Sequence, residues 1–169
     1  MSYLDKLADI RHFIFDVDGV LTNGLLHVQE NGELLRQMHT RDGYALKTAL
    51  DCKFPITIIT GGNSQGVIKR LNGLGITQIY ASVKHKLSIL EDLVHSQNLD
   101  LSTVAYMGDD LPDYECMRAV HLAACPADAV MEIKTVSQYI SPCKGGEGCV
   151  RDLIEKVLKA QNKWSVVSG

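Results

Sequence analysis

The sequence lacks the excess of positive charge that nucleic-acid-binding proteins use to neutralise a phosphate backbone. Its 17 lysines and arginines are outnumbered by 20 aspartates and glutamates, which gives a net charge of −3. A nucleic acid is therefore not the expected partner. A small anionic substrate is still compatible with this composition, because binding one requires only a local positive site.

Long apolar runs are also missing. No stretch approaches the roughly 18 consecutive apolar residues of a membrane-spanning helix. The N-terminal segment Met1–Arg11 alternates charged and apolar residues and does not resemble a signal peptide. We therefore expect no membrane association and a cytoplasmic location.

A disulfide framework is not indicated either. The five cysteines are odd in number and scattered, which favours free thiols in a reducing compartment. Cys143 and Cys149 flank a glycine-rich stretch, so a zinc site is an alternative, although such a site needs about four ligands. The six histidines show no ligand spacing.

No internal repeat, low-complexity tract or linker divides the 169 residues, and this length suits one domain, residues 1–169, with a single core. Short apolar runs predict strands at His12–Phe15, Ile56–Ile59, Ile79–Ala81, Thr103–Met107 and Val120–Ala124. Capping residues and helical spacing predict helices at Gly43–Asp51 with Asp42 as cap, Ser64–Leu74, Lys86–Gln97, Asp128–Val136 and Val150–Ala160. The tail from Gln161 has no assigned structure, and its Trp164 could dock on another subunit or be disordered.

Continuous apolar strands that alternate with helices are typical of parallel sheets covered on both faces. The predicted fold class is therefore α/β, with a doubly wound, mainly parallel, Rossmann-like sheet. Glu30-Asn31-Gly32 lies between two short runs and predicts a β-hairpin insertion at about residues 24–40. The hairpin is too small to be a second domain, so no separate cap domain is expected.

Acidic residues follow two of the predicted strands. Asp16 and Asp18 come directly after the first strand, and Asp109, Asp110 and Asp113 follow the fourth. One acid in each loop would be an ordinary helix or loop cap. Two carboxylates held close together need a counter-charge, which a divalent cation supplies. Mg²⁺ prefers oxygen ligands and fits one or two carboxylates together with a substrate phosphate.

Two further segments could bind the phosphate itself. Thr60-Gly61-Gly62-Asn63-Ser64 precedes a helix, and its hydroxyls and free backbone N–H groups suit a phosphate oxygen, although a simple capping turn has the same residues. Lys86 opens the next helix, where the helix dipole disfavours a lysine unless an anion lies beside it.

Taken together, Asp16-x-Asp18-Gly19-Val20-Leu21-Thr22, Thr60-Gly61, Lys86 and Gly108-Asp109-Asp110-x-x-Asp113 resemble the four motifs of haloacid dehalogenase superfamily phosphatases, in the family's order. The match covers roughly residues 10–115. The hairpin and the segment Gly145–Arg151 are similar to the small, capless subgroup that contains 3-deoxy-D-manno-octulosonate 8-phosphate phosphatase and nonulosonate 9-phosphate phosphatases. The resemblance implies a homotetramer, a sugar-acid phosphate substrate and a place in lipopolysaccharide biosynthesis.

The resemblance also implies a role for each matched residue. Asp16 would be the nucleophile that forms an aspartyl-phosphate, and Asp18 the general acid and then the general base. Mg²⁺ would be held by the Asp16 carboxylate, the Asp18 backbone carbonyl and Asp109. Thr60 and Lys86 would hold the phosphoryl oxygens. Asp110 and Asp113 would support the metal and Lys86 from outside.

Substrate-binding residues are expected at Gly61, Asn63, Arg70 and Arg151. The octulosonate enzymes usually carry an arginine where this chain has Gly62, so a different sugar acid is also compatible with the sequence. Arg70 could face the substrate or lie on the outer surface of its helix. Arg151 could reach a substrate carboxylate, in its own or an adjacent subunit, or pair with Glu155 four residues on.

Two other functions remain open on the residues alone. A phosphoacceptor signalling domain uses acids, a threonine and a lysine on a similar sheet, although its acidic pair is usually adjacent and its acceptor Asp stands on a later strand. A catalytically degenerate domain that only mediates assembly is the second alternative, and retention of every proposed catalytic group argues against it.

Overall fold

Four strands of the protein are buried at every residue, as expected of a parallel sheet covered on both faces. The computed structural model describes residues 2–165. Six parallel strands form the main sheet in the order β5-β4-β1-β6-β7-β8. They are β1 His12–Phe15, β4 Ile56–Ile59, β5 Gln78–Tyr80, β6 Val104–Met107, β7 Leu122–Cys125 and β8 Tyr139–Ile140; β2 and β3 form the hairpin described below.

Helices cover both faces of this sheet. They are α1 Tyr3–Lys6, α2 Thr40–Asp51, α3 Gln65–Gly73, α4 Lys86–Gln97, α5 Tyr114–Ala119, α6 Met131–Val136 and α7 Cys149–Ala160. Because successive strand residues point to opposite faces, Phe13 and Phe15 pack in one core with α2, α3 and α7. Ile14 packs in a second core with α4, α5 and α6. The predicted doubly wound α/β fold is confirmed.

The hairpin insertion is also confirmed. Strands β2 (His27–Val28) and β3 (Leu34–Leu35) pair antiparallel, and a bridge between Thr22 and Met38 closes the base of the insertion. The turn is held by Gly32, whose N–H donates to the Gln29 carbonyl at 2.9 Å. Positive φ at this glycine fits the sequence signal that predicted the hairpin.

The prediction that Asp42 caps α2 is wrong. The helix begins at Thr40, and its cap is His39, whose Nδ1 accepts a hydrogen bond from the Arg41 N–H. Asp42 is buried in the first turn, and its Oδ1 accepts from the backbone N–H of Arg151 at 2.8 Å. It therefore caps α7, a helix more than one hundred residues away in the chain.

Other differences concern the ends of elements. Strand β8 was not predicted, because two residues at the edge of a sheet carry no periodic pattern. The helix predicted to begin at Asp128 begins at Met131, and the strand predicted to begin at Val120 begins at Leu122. None of the described helices combines the length and the apolar character needed to cross a membrane.

The described part of the tail contacts the core. Trp164 is partly buried against the core that contains α7, and its ring meets Tyr44 edge to face at a centroid distance of 6.1 Å. Of the two alternatives for Trp164, disorder is wrong, whereas docking on another subunit stays a prediction. The last four residues of the predicted tail, 166–169, lie outside the described residues.

Candidate active site

The carboxyl ends of three neighbouring strands bring the predicted acids together. Asp16 follows β1 at the centre of the sheet, while Thr60 follows β4 and Asp109 follows β6, the two strands on either side. In a parallel sheet these ends form one edge, where ligands bind. A cleft of about 390 Å³ lies there, and eight predicted residues line it: Asp16, Asp18, Thr60, Gly61, Lys86, Asp109, Asp110 and Asp113.

The turn after β1 is shaped by close backbone packing. Gly19 has a φ of +86°, and a Cβ at this position would collide with the carboxylate of Asp109. A glycine is therefore required for the two acidic loops to approach each other. Asp16 Oδ1 accepts a hydrogen bond from the Val17 N–H at 2.7 Å, which fixes the carboxylate at the start of the turn.

A glycine loop before α7 closes the same turn from the other side. The N–H of Gly146 donates to the Val20 carbonyl at 3.0 Å, and a Cβ at Gly145 would collide with the Gly19 carbonyl. Asp128 Oδ1 accepts from the Gly145 N–H at 2.9 Å and holds the loop in place. The segment 145–146 therefore supports the turn after β1 through backbone contacts.

Lys86 is the cation at the base of the cleft. It is 5% exposed, and its Nζ lies 2.9 Å from Asp16 Oδ1 and 2.7 Å from Asp113 Oδ1. Burial lowers the pKa of this lysine, but the charges of Asp113 and Asp16 outweigh it and raise the pKa overall. Lys86 is therefore charged and faces the position that an anion would take beside Asp16.

Asp113 lines the cleft and also holds Lys86 in place. Its Oδ1 accepts from Lys86 and from the hydroxyl of the buried Tyr106, each at 2.7 Å. Its Oδ2 accepts from the Asp109 N–H at 3.3 Å. Asp110 is more peripheral, and its Oδ1 accepts from the Leu111 N–H. Asp113 thus contacts Lys86 as the resemblance implies, whereas support of a metal by Asp110 stays a prediction.

The carboxylates of the cleft form a cluster with excess negative charge. One oxygen each of Asp16, Asp109 and Asp113 lie within 4.8 Å of one another. Burial, followed by the charge of Asp113, raises the pKa of Asp16 to about 7 despite the opposing effect of Lys86. Burial, followed by the charge of Asp16, raises the pKa of Asp109 to about 8. Each carboxylate is costly to ionise unless a counter-ion joins it.

Asp109 Oδ1 is buried and has no hydrogen-bond partner among residues 2–165. An unpaired buried carboxylate oxygen is costly, and in a cluster of oxygen ligands it fits a divalent cation such as Mg²⁺. Asp113 belongs to the geometric cluster, but its oxygens already accept three hydrogen bonds. Asp16 and Asp109 are therefore the better carboxylate ligands.

The alternative zinc site has no support in the structure. Over residues 2–165, no group of three or more potential metal ligands includes Cys143 or Cys149. Cys149 is buried, and its thiol donates to the Val20 carbonyl at 3.2 Å. The two cysteines are free thiols.

Thr60 and Gly61 lie in the cleft as the sequence predicted. Thr60 is buried, and its Oγ1 accepts from the Gly62 N–H at 3.1 Å, so the hydroxyl fixes the turn that precedes α3. Asn63 is exposed and lines a neighbouring cavity between α3 and the hairpin.

Arg70 and Arg151 do not line the cleft of their own chain. Arg70 is exposed on α3, with its guanidinium against Gly43 of α2. Arg151 pairs with Glu155 at 3.2 Å, which is one of the two alternatives considered for it. Its guanidinium also lies over the rings of Tyr44 and Trp164, at 5.7 and 5.4 Å from their centroids.

Sequence reasoning missed Arg36. This residue follows β3 of the hairpin, and its Nε and Nη2 donate to the two oxygens of Asp18 at 2.6 and 3.1 Å. Hydrogen bonding to Asp18 raises the pKa of Arg36, which keeps the guanidinium charged. The one available signal was a lone basic residue in the otherwise uncharged segment 34–39, which is too weak to indicate a partner.

Comparison with known proteins identifies the family. The family model of haloacid dehalogenase-like hydrolases matches residues 72–153. The 3-deoxy-D-manno-octulosonate 8-phosphate phosphatase of Escherichia coli strain K12 is 38% identical over 164 residues, which is 97% of this chain and 87% of the relative. The crystal structure of this phosphatase from Yersinia pestis superposes with a TM-score of 0.91 at 36% identity, over 95% of this chain and 86% of the other.

The same enzyme from Moraxella catarrhalis, in complex with a magnesium ion, a phosphate ion and a KDO molecule, has a TM-score of 0.90 at 34% identity, over 94% of this chain and 91% of the other. The sequence alignment and the structural superpositions thus each cover nearly all of the chain. The chain belongs to the 3-deoxy-D-manno-octulosonate 8-phosphate phosphatase family of haloacid dehalogenase-like hydrolases.

Proposed function

We propose that the protein hydrolyses the phosphomonoester of a small sugar acid, either 3-deoxy-D-manno-octulosonate 8-phosphate or a related nonulosonate 9-phosphate. The observation that carries this proposal is the convergence of Asp16, Asp109 and Lys86 in one cleft, with Lys86 Nζ 2.9 Å from Asp16. An acid beside a fixed cation, with a second acid to complete a metal site, is what phosphoryl transfer through a carboxylate requires.

In the first step, a carboxylate oxygen of Asp16 forms a bond to phosphorus while the bond from phosphorus to the ester oxygen breaks. Asp18, which lines the same cleft, donates a proton to the departing oxygen. In the second step, Asp18 takes a proton from a water molecule, whose oxygen forms a bond to phosphorus while the bond from phosphorus to the Asp16 oxygen breaks. The products are the sugar acid and inorganic phosphate, and Asp16 is regenerated.

Mg²⁺ would be held by the carboxylates of Asp16 and Asp109 and by the backbone carbonyl of Asp18. A bound Mg²⁺ would neutralise charge on the phosphoryl oxygens in the transition state. The unpaired Asp109 Oδ1 and the raised pKa values of both carboxylates support this assignment. The magnesium ion and phosphate bound to the relative from Moraxella catarrhalis agree with it.

Lys86 and Thr60 would contact the transferring phosphoryl group. Lys86 is held by Asp113, so its ammonium is positioned before the substrate arrives. Gly61 lines the cleft without a side chain and would let the substrate approach the backbone. Asn63 would contact a substrate that extends towards the hairpin. Asp110 would support the metal from outside.

We further propose that residues 1–169 form one cytoplasmic hydrolase domain that acts as a homotetramer. The hairpin exposes a set of apolar side chains that another copy of the chain could cover: Leu25, Leu26, Val28, Leu34 and Leu35. Arg70 or Arg151 would reach a substrate only if another copy brought it to the cleft. Light scattering should give four times the chain mass, and a monomer with full activity would contradict the assembly.

The nucleophile is tested by Asp16→Asn, assayed with Mg²⁺ on 4-nitrophenyl phosphate and on octulosonate 8-phosphate. Loss of the nucleophile should lower kcat at least about a thousandfold without changing the Tm greatly. Asp92→Asn, an exposed acid on α4, is the matched control and should stay within about twofold of the parent. A near-normal kcat in the Asp16 variant would contradict the mechanism. A parent without any turnover would instead agree with a phosphoacceptor or assembly domain.

The substrate class is tested separately by kcat/KM on octulosonate 8-phosphate, a nonulosonate 9-phosphate and glucose 6-phosphate. A preference for either sugar acid of at least about tenfold, which corresponds to about 1.4 kcal/mol, supports the proposed class. Equal values for all three esters would contradict the sugar-acid assignment and leave the phosphatase mechanism intact.

A further inference from the structure

The side chain of Arg36 extends from the hairpin to Asp18 in the candidate active site. Arg36 follows β3, and its side chain is only 8% exposed, whereas the neighbouring Leu34 and Leu35 are 42% and 46% exposed. Its Nε and Nη2 donate to Asp18 Oδ1 and Oδ2 at 2.6 and 3.1 Å. This is the bidentate geometry in which a guanidinium binds a carboxylate most firmly.

Arg36 lies behind Asp18 as seen from the cleft. Asp18 lines the cleft, whereas Arg36 lines a cavity of about 550 Å³ between the hairpin and the start of α3. A phosphoryl group seated on Asp16 would therefore meet the carboxyl group of Asp18 and not the guanidinium. At the reacting phosphorus and its ester oxygen, Arg36 acts through Asp18.

Gly62 leaves the room that this arrangement needs. A Cβ at Gly62 would lie 3.2 Å from Arg36 Nη2 and 3.2 Å from Asp18 Oδ2. A larger side chain at this position would compete with the guanidinium for the same space. The glycine in the turn before α3 and the arginine of the hairpin therefore fit together.

The two hydrogen bonds from Arg36 fix the plane of the Asp18 carboxyl group. A free carboxylate on a turn rotates about its side-chain bonds, whereas a planar fork with two donors fixes it. Arg36 Nη1 also donates to its own Leu34 carbonyl at 3.1 Å, so the guanidinium is anchored to the hairpin backbone. Each carboxyl oxygen has a second lone pair, so Asp18 can still carry the proton that it donates to an ester oxygen in the cleft.

We propose that Arg36 is a positioning residue for Asp18, by which the hairpin aims the general acid at the leaving oxygen of the substrate. The inference rests on the proposed function, in which the bond from phosphorus to the ester oxygen breaks while a proton passes from Asp18 to that oxygen. Accurate placement matters because a shift of about 1 Å in such a group can cost about a hundredfold in rate.

The proposal predicts a dependence on the leaving group. The alkoxide of a sugar phosphate needs a proton as it departs, whereas 4-nitrophenolate leaves without one. Loss of a correctly aimed general acid should therefore affect kcat/KM for the sugar ester far more than for the aryl ester. A residue that only stabilises the fold, or only binds metal or phosphate, would affect both esters alike.

The test compares Arg36→Met and Arg36→Lys with the parent, and Arg41→Met, an exposed arginine five residues on, is the control. The sugar ester is the better of octulosonate 8-phosphate and nonulosonate 9-phosphate. We expect Arg36→Met to lower kcat/KM at least about thirtyfold for this ester and less than about fivefold for 4-nitrophenyl phosphate, mainly through kcat. Arg36→Lys should recover only part of the loss, because an ammonium cannot form the two parallel bonds.

A double variant separates positioning from other roles. In an Asp18→Asn background, Arg36→Met should lower kcat/KM for the sugar ester by less than about twofold, since its effect runs through Asp18. Three outcomes would each overturn the positioning role and leave the phosphatase mechanism intact. They are equal losses for both esters, an unchanged kcat with a raised KM in Arg36→Met, and full additivity in the double variant. A parent with no Mg²⁺-dependent turnover, or an active Asp16→Asn variant, would overturn the mechanism and this inference with it.

Discussion

Acidification should destabilise the protein through His12, the first residue of β1. This histidine is buried, and its Nε2 lies 2.8 Å from Thr57 Oγ1. Thr57 donates its own proton to Gln78 Oε1 at 2.8 Å, so its oxygen must accept from the N–H of His12. Burial lowers the pKa of His12 from 6.5 to about 4, so the imidazole is neutral at pH 7.

The magnitude follows from these two pKa values. They differ by about 2.5, and at 1.36 kcal/mol for each pKa unit the free energy involved is about 3 kcal/mol. The unfolded chain binds the proton below pH 6.5, whereas the folded protein binds it only near pH 4. The contribution is therefore complete above pH 6.5 and is lost as the pH falls from 6.5 to 4.

Guanidinium chloride unfolding at pH 7 and pH 4.5, in EDTA, measures this loss. His12→Gln keeps a donor for Thr57 but removes the titration, so its free energy of unfolding should fall less between the two pH values, by about 2–3 kcal/mol. His95→Gln, at an exposed histidine of α4, should follow the parent. Identical pH profiles for the parent and the His12 variant would refute the assignment of a buried neutral imidazole.

Two further predictions concern the metal site and the glycine loop. Mg²⁺ must displace protons from carboxylates whose pKa values are raised, so the increase in Tm that it causes, measured by calorimetry, should grow from pH 6 to pH 8. This increase should be lost in Asp109→Asn, and an increase that does not depend on pH would contradict this metal site. Gly145→Ala should lower the free energy of unfolding by about 2–4 kcal/mol, because the added Cβ collides with the Gly19 carbonyl. The control Gly73→Ala, in open space on α3, should be neutral or stabilising by up to about 1 kcal/mol, and equal effects of the two substitutions would exclude the collision.

The sheet was predictable because its strands are buried on both faces. A run such as Phe13-Ile14-Phe15 can be apolar at every position only where helices cover each side, and this leaves a clear pattern in the sequence. Strand β8 has two residues at the sheet edge and leaves no such pattern. The acids of the cleft were predictable for the related reason that the ends of β1 and β6 must meet at one edge.

Contacts between distant segments were not predictable. Asp42 has the right residue type and position to cap its own helix, yet its carboxylate faces the N-terminus of α7, because α2 packs against that helix. Arg36 meets Asp18 only because the hairpin folds back over the turn after β1. Tertiary packing determines which residue Asp42 and Arg36 each contact, and neither residue type nor local spacing predicts that packing.

The backbone contact of Gly146 with the turn after β1 also has a consequence for synthesis. The segment that carries Asp16 leaves the ribosome early, but the N–H that supports the Val20 carbonyl belongs to a residue made some 125 positions later. A nascent chain that ends before the glycine loop therefore contains every proposed catalytic side chain without the support that fixes their turn. Catalytic competence should arrive late in translation, when the C-terminal helix docks, rather than when the last catalytic residue is added.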